Sequence, residues 1–445
     1  RNAAERIEAA FGSGAVQATP KLKLEGYAFA LNGKRELMTP DPDGPAAKKF
    51  KKRIEQYDPL QAYSAGMRAL YEGSDKASTE LTTFYTERSF DYERKNFKPT
   101  TAKEEDYEYG VELIQSLQLT PNNTLRFGGL YNHWVAPNGK RFYFGSRQDR
   151  QTLAAIVADE LTLDRLILDG ALRYARTYNN EYGGTSFNIT GQRLNLEPVK
   201  DEWDDPVTVA TLGAKYMLQE QSALYFHIAG GQHQPRAGAL TADGSEPDNE
   251  KRVMVDAGIS GENNIGKIKI GGFAARRDDV SVLTANSTTN AAGEEFFFSA
   301  NENIHQYGLE IETQSQPVGD ILSLVFNPTV MTSRKEEANG DWSDYKEIPN
   351  VILGGGIYSW LGRWDVNLFG KYVSEYENKR FAADKKYQDL GNYLDLSATV
   401  GYTLGAASNT RLYVSAENLL DDEYSTVVGW SDDGAKFYAG VQHQF

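Results

Sequence analysis

The chain has 445 residues, no cysteine and a net charge of −15. Without cysteine, neither a disulfide framework nor a thiolate metal site can form. No basic stripe is available to neutralise phosphates, which excludes nucleic acid as a partner. Tyr (26), Phe (20) and Gly (41) are many for so polar a chain, and aromatics favour strands and the water–lipid interface. No stretch approaches the roughly 18 uncharged apolar residues of a transmembrane helix. A polar average still allows a transmembrane barrel, which shows lipid only every second residue. The opening "RNAAERIEAAFG" has no initiator Met and no apolar leader, and reads as a processed or truncated start.

Taken in chain order, alternating segments meet at short turn signals. Two weaker ones come first, in "AVQATPKLKL" and "YEGSDKASTEL". Then follow "LQLTPNNTLRFGG", "ELTLDRLILDGAL", "YMLQEQSALYFHI", "ISGENNIGKIKIGG", "ETQSQPVGDILSL", "IYSWLGRWDVNLF" and "VGYTLGAASNTRLYV", centred near residues 122, 164, 220, 264, 318, 362 and 407. Their Asn, Gly, Pro and Asp are what short hairpin loops require. On the other side of each strand pair run long polar connections, near 32–60, 89–105, 136–150, 178–206, 232–250, 278–303, 334–349, 377–392 and 419–435. Short turns at one end and long loops at the other describe an outer-membrane barrel. A propeller also repeats every 45 or so residues, but with four short strands per blade instead of two long ones.

The strands have two faces. In "YLDLSATVGYTL", Leu394, Leu396, Ala398, Val400, Tyr402 and Leu404 share one side, and Asp395, Ser397, Thr399, Gly401 and Thr403 the other. In "RWDVNLFGKY", Trp364, Val366 and Leu368 oppose Asp365, Asn367 and Phe369. Soluble sandwiches alternate too, but their strands average about five or six residues, whereas runs of ten or more suit a tilted crossing of a bilayer. The fold class is therefore all-β, a transmembrane antiparallel up-and-down barrel covering 1–445. Nine turns join 18 strands and the terminal "KFYAGVQHQF" makes roughly 19, an odd number that places residue 1 on the outer face, whereas a single-chain bacterial barrel has an even count.

Over about 105–445 the sequence resembles the C-terminal barrel of TonB-dependent outer-membrane receptors. The resembling segments stand in the family's order: "AAIVADELTL" with "LILDGALRYART" (154–177), "GAKYMLQEQSALYFHIAGGQHQPRAGAL" (213–240), "VMVDAGISGENNIGKIKIGGFAARRDD" (253–279), and "IHQYGLEIETQSQPVGDILSL" (304–324) with Gly308 and Glu310. Next come "EIPNVILGGG" (347–356) and "VSAENLLDDEY" (414–424), with Asn418, Leu419, Asp421 and Tyr424 in an Asn-Leu-x-Asp-x-x-Tyr element. The resemblance implies a 22-stranded barrel plugged by an N-terminal domain preceded by a TonB-binding box. Neither plug nor box is evident, so the plug and about three strands are expected to be missing here.

By that resemblance the function is TonB-energised uptake of a scarce, bulky nutrient: a ferric siderophore, haem, cobalamin or a glycan. No bond is broken and no cofactor is expected. The implied partners are outer-membrane lipid and lipopolysaccharide, the barrel-assembly machinery, and TonB through a plug that this chain lacks. A passive porin-like channel is the alternative, and would need a charged constriction or an inward-folded loop. A soluble β-rich binding or structural protein is the third reading.

No catalytic constellation stands out. His133, His227, His233, His305 and His443 are scattered without metal-ligand spacing. His227 and His233, the nearest pair, read as plain wall or loop polarity in preference to a haem-type ligand site. "DPDG" (41–44) and "SDDG" (431–434) read as acidic turns, because neither continues with the ligands of a calcium loop. "GGG" (354–356) precedes no helix and reads as small residues packing on a barrel wall. Ligand groups belong on loops held by a rigid scaffold. The candidates there are Arg141, Tyr143, His233, Arg236, Trp342, Tyr345, Arg380 and Trp430, a mixture suited to anionic, aromatic or sugar-like ligands. In the last strand Tyr438, Gly440 and Phe445 match the assembly signal of outer-membrane proteins, and His443 departs from it.

Overall fold

The computed structural model describes residues 5–37, 53–96, 99–138, 147–182, 200–235, 241–243, 245, 247–289, 295–337, 339–378, 386–405, 409–432 and 434–443. Among them there is no helix. An antiparallel sheet of 21 strands runs from Glu5–Thr19 at one edge to Lys436–His443 at the other. Two of the 21, Glu202–Trp203 and Trp342–Asp344, are short pieces added beside longer strands. The nineteen that remain match the expected count, and Glu5 lies at the long-loop end. Eight of the nine short turns stand where the turn residues place them, for example at Pro121-Asn122, between Asn123–Asn138 and the strand before it, and at Asp164-Arg165, while the turn near 407 lies partly outside the described residues. Asp164 takes a φ of 50° and Gly362 one of 68° in two such turns, conformations that Gly, Asn and Asp adopt most readily.

Register fixes which residues share a face. Trp364, Val366 and Leu368 pair with Tyr402, Val400 and Ala398. Val400 and Tyr402 continue to Val414 and Leu412, and Leu412 to Val441. These rows form an apolar belt that is exposed on strand after strand, with Leu212, Phe226, Leu309 and Phe326 among its members. Water would disfavour so much contiguous apolar surface, and a hydrocarbon layer removes that cost. Tyr85, Tyr109, Tyr174 and Tyr307 edge the belt towards the long loops, and Tyr71, Tyr216 and Trp364 edge it towards the short turns. Rings with an apolar body and a polar tip suit both interfaces.

The opposite face is polar and lumenal, and its aromatic rings lie flat on neighbouring glycines. A β-carbon at Gly110, Gly308 or Gly356 would sit 2.7, 2.8 and 2.9 Å from the rings of Phe84, Phe273 and Phe369. Tyr413 covers Gly440 in the same way, and Tyr225 reaches across Gly258 and Gly271. The glycines of "GGG" are wall residues, as the sequence suggests.

Two predicted long loops are largely strand instead. Ser89–Arg94 pairs with Thr100–Glu105, and Val280–Thr289 pairs with Glu295–Glu302 across one register shift, between Leu283 and Ser287. Both ribbons rise beyond the apolar belt, where neither face needs to be apolar. The period-2 hydrophobic signal therefore vanishes although the β-branched and aromatic residues that favour strands remain.

Candidate binding site at the barrel mouth

Five consecutive long strands bring charged side chains together on the lumenal side, just below the long loops. They are Ser222–His233, Glu250–Glu262, Gly266–Thr289, Glu295–Ser315 and Leu322–Glu336. Alternation decides the set. Val253, Val255 and Ala257 face the lipid side, so Glu250 and Arg252 face the lumen. Register then places His233 opposite Glu250, Arg252 opposite Arg277, Arg277 opposite Ile304, and Ile304 opposite Lys335. Two guanidinium groups facing one another would repel. Glu250, only 7% exposed, bridges them by pairing with Arg252 and with Arg277 at 2.7 Å. Lys335 lies 3.9 Å from both Glu302 and Glu337.

Two loops fold onto this wall. The Tyr345 amide donates to the Ser333 carbonyl at 2.8 Å, and the Glu377 amide to the Lys346 carbonyl at 2.8 Å. Lys346 and Glu377 also form an ion pair at 2.7 Å, tying the loops together. Burial, reinforced by Glu347 and Glu302, pushes the Tyr345 hydroxyl well above the usual tyrosine range. Burial also pushes Tyr387 up, to about 12, with Glu347 and Glu302 adding to it. The Tyr387 hydroxyl is hydrogen-bonded to Glu347, and a neutral phenol has one proton to donate and can also accept. Three cations, two phenols and their bordering carboxylates can hold a ligand through charge, hydrogen bonding and stacking.

Of the residues singled out from the sequence, His233 and Tyr345 join this cluster. Trp342 instead stacks on His305, with ring centroids 3.9 Å apart and planes 25° apart, on the barrel's outer side. Trp430 pairs with Val427 in a small hairpin of the last long loop. Arg141, Tyr143, Arg236, Arg380, Phe445 and "DPDG" (41–44) lie outside the described residues. The Asp256 carboxylate accepts from His227 Nδ1 at 3.3 Å. His227 stands six residues from His233 on one strand, about 20 Å away at strand rise, so the two cannot grip one metal together. Glu250, Arg252, Arg277, Glu302, Lys335 and Tyr387 were missed. Their signal was parity, since "EKRVMV" and "FAARRDD" each put an Arg opposite the lipid-facing set.

The "NLLDDEY" element organises the rim rather than a ligand. Asn418, 3% exposed with a φ of 47°, donates its amide to the Asp422 carbonyl (2.9 Å) and Asp432 (3.1 Å) and accepts from the Asp422 amide (3.1 Å). Asp421 accepts from the Ala435 amide at 2.9 Å, and Tyr424 stacks on Tyr393 at 4.0 Å, with planes 6° apart. Asp432 of "SDDG" also accepts from the Gly434 amide at 3.0 Å, a capped turn. Replacing Asn418 with Ala leaves buried donors and acceptors unmade and should cost about 2–3 kcal/mol locally. Protease nicking between 418 and 435 at least tenfold faster than in the parent is the expected readout.

No family model and no curated protein matches the chain. Solved structures do. The copper transporter OprC matches at 14% identity and a TM-score of 0.77, over 100% of this chain and 73% of that one. The ferric-catecholate import receptor Fiu from K12 E. coli matches at 13% identity and TM-score 0.74, over 100% and 75%. The ferric citrate transporter FecA matches at 14% and 0.72, over 98% and 70%. The fold is that of the TonB-dependent receptor barrel. At such identities the likeness carries the β-barrel architecture alone.

Proposed function

We propose that residues 1–445 form the barrel of an outer-membrane receptor that takes up a scarce, bulky nutrient with energy from TonB. Anionic metal chelates, the ferric siderophore class among them, suit the mouth best. The observation that carries this reading is the lumenal convergence of Arg252, Arg277 and Lys335, which share Glu250, Glu302 and Glu337 as neighbours, with the phenols of Tyr345 and Tyr387. Chelates of this kind present carboxylate or catecholate oxygens to forked guanidinium donors and flat surfaces to aromatic rings. The likeness in fold to a copper transporter and to ferric-chelate importers points the same way.

The test is uptake. Cells producing the full-length gene product should accumulate radiolabelled iron from ferric citrate or a ferric catecholate, and lose that accumulation when TonB is deleted. Uptake equal in both strains would favour a passive channel and end the energised reading.

The last strand is proposed to be read by the barrel-assembly machinery, with Tyr438, Gly440 and Phe445 as the residues read. Deleting Phe445 should lower the amount of heat-resistant folded barrel in outer membranes severalfold. Unchanged assembly would contradict this role.

A further inference from the structure

One strand carries a proline where the ladder needs a donor. Leu322–Glu336 lies between two partners, Glu295–Ser315 on one side and Val351–Leu361 on the other, a place from which proline is ordinarily excluded. The Met331 amide donates to the Asn350 carbonyl, and the Leu324 amide to Ser315 Oγ. Odd-numbered amides of the strand therefore point to the later partner, and even-numbered ones to Glu295–Ser315. In that second pairing Glu310 faces Thr329 and Thr313 faces Phe326 in one register. Pro328 thus stands opposite Ile311 and Asn327 opposite Glu312, and neither pair joins the ladder. The N–H that Pro328 should offer to Ile311 does not exist.

From there to the short turn, side chains carry bonds that the main chain carries elsewhere. The Thr313 amide donates to Asn327 Oδ1 at 3.2 Å, and Thr313 Oγ1 donates to the Phe326 carbonyl at 2.8 Å. Nearer the turn the Leu324 amide donates to Ser315 Oγ at 2.8 Å, and Ser323 Oγ donates to the Ser315 carbonyl at 3.0 Å. Both flanking ladders run unbroken, 266–277 with 304–315 and 322–330 with 351–359. Towards the mouth, 304–310 pairs with 329–335 without a gap. Main-chain bonds left unmade in a lipid-crossing wall are tolerated where the backbone lines a watery cavity. A lumenal recess of about 460 Å³, bordered by Lys269, Glu312, Gln314 and Asn327, lies against this seam.

We propose that the seam is a built-in opening: the two strands part between the short turn and the Glu310–Thr329 pair, widening the lower lumen beside the recess while the mouth stays zipped. A hydroxyl or amide side chain keeps its bond through a rotamer change as the strands separate, which a main-chain ladder bond does not do. The connection 316–321 is also longer than the two-residue turns at Pro121-Asn122 and Asp164-Arg165, so it tethers the strand ends with slack. Widening of this kind serves cargo too bulky for the resting lower lumen. In that purpose the proposal rests on the uptake reading, whereas the existence of the seam does not.

The first test is hydrogen exchange of the purified full-length protein in detergent, followed by mass spectrometry. Amides of 311–315 and 323–327 should exchange about tenfold faster than those of 268–273 in the unbroken neighbouring ladder. Pro328→Val, at a position sharing the outward parity of Phe326 and Val330, supplies the missing N–H and should bring the seam close to its neighbour's rate. Equal protection of the two regions in the parent overturns the proposal, and so does undiminished exchange in folded Pro328→Val. The second test locks the seam. The amide directions make Glu312 and Asn327 a non-hydrogen-bonded pair, whose Cα spacing of about 4.5 Å suits a disulfide, and residues 1–445 hold no cysteine to compete. Oxidised Glu312→Cys/Asn327→Cys should take up ferric citrate or a ferric catecholate about fivefold more slowly than the parent, and recover on reduction. Full uptake by the oxidised variant overturns the role in passage. A parent without TonB-dependent uptake sinks the uptake reading instead, and the exchange comparison still decides the seam.

Discussion

Replacing Gly440 with Val should leave a barrel that assembles poorly, with the folded fraction reduced about tenfold or more. Gly440 lies in Lys436–His443, directly opposite Tyr413, whose ring occupies the place a β-carbon would take. Movement of the ring off Gly440 is opposed from one side. The Arg411 guanidinium sits over the ring at 5.2 Å, and Arg411 in turn donates to Asp365 at 2.8 Å. Gly401 lies beneath that ion pair, so four neighbouring strands are joined through one lumenal stack. Forcing a branched side chain into it costs on the order of 1–3 kcal/mol in overpacking, and strain on the Arg411–Asp365 pair adds to that. The measurement is the heat-modifiable band of the purified or membrane-extracted protein. Tyr413→Ala combined with Gly440→Val should recover much of the folded band, because the clash is removed with its partner. Normal assembly of the single variant would show that the ring is not fixed there.

The same stack shows what sequence can and cannot reveal. Gly440 was legible as part of a terminal pattern, but its reason was not, since Tyr413 lies 27 positions earlier and only register brings the two together. The belt was legible because lipid imposes a strict period of two, and Leu394 to Leu404 display it without interruption. The ribbons at 89–105 and 278–303 were not, because above the lipid no solvent contrast marks their faces. For the mouth, His233 and Tyr345 stood out as aromatic or basic residues in loops. Arg252 and Arg277 did not, because they sit inside strands whose apolar alternates dominate the pattern. Carrying parity one step further, from Val253 to Arg252 and from Ala274 to Arg277, would have named them. What parity alone could not supply is that Glu250 bridges both, or that Tyr345 and Tyr387 arrive from separate loops.

That bridge dictates how the mouth has to be tested. Removing Arg252 and Arg277 alone would strand Glu250, a buried carboxylate, and its desolvation cost would disturb the wall whatever the ligand does. The informative variant is Arg252→Gln/Arg277→Gln/Glu250→Gln, which removes both cations and the charge they answer while leaving polar groups that can hydrogen-bond one another. If the two guanidinium groups grip an anionic chelate, each charge-assisted contact contributes about 1.5–3 kcal/mol, so affinity for ferric citrate or a ferric catecholate should fall on the order of a hundredfold or more. Tyr345→Phe removes one donated proton and leaves the ring, so its loss should be nearer tenfold. Binding to the purified full-length protein, followed by tryptophan fluorescence, provides the readout, with the heat-modifiable band confirming folding. Raised salt should weaken the parent's binding more than the triple variant's, because screening acts on the charge contacts that only the parent retains. A folded triple variant that binds as tightly as the parent would remove the mouth cluster from ligand recognition. The ligand would then have to be held on side chains without charge, and the preference for an anionic chelate would fall with it.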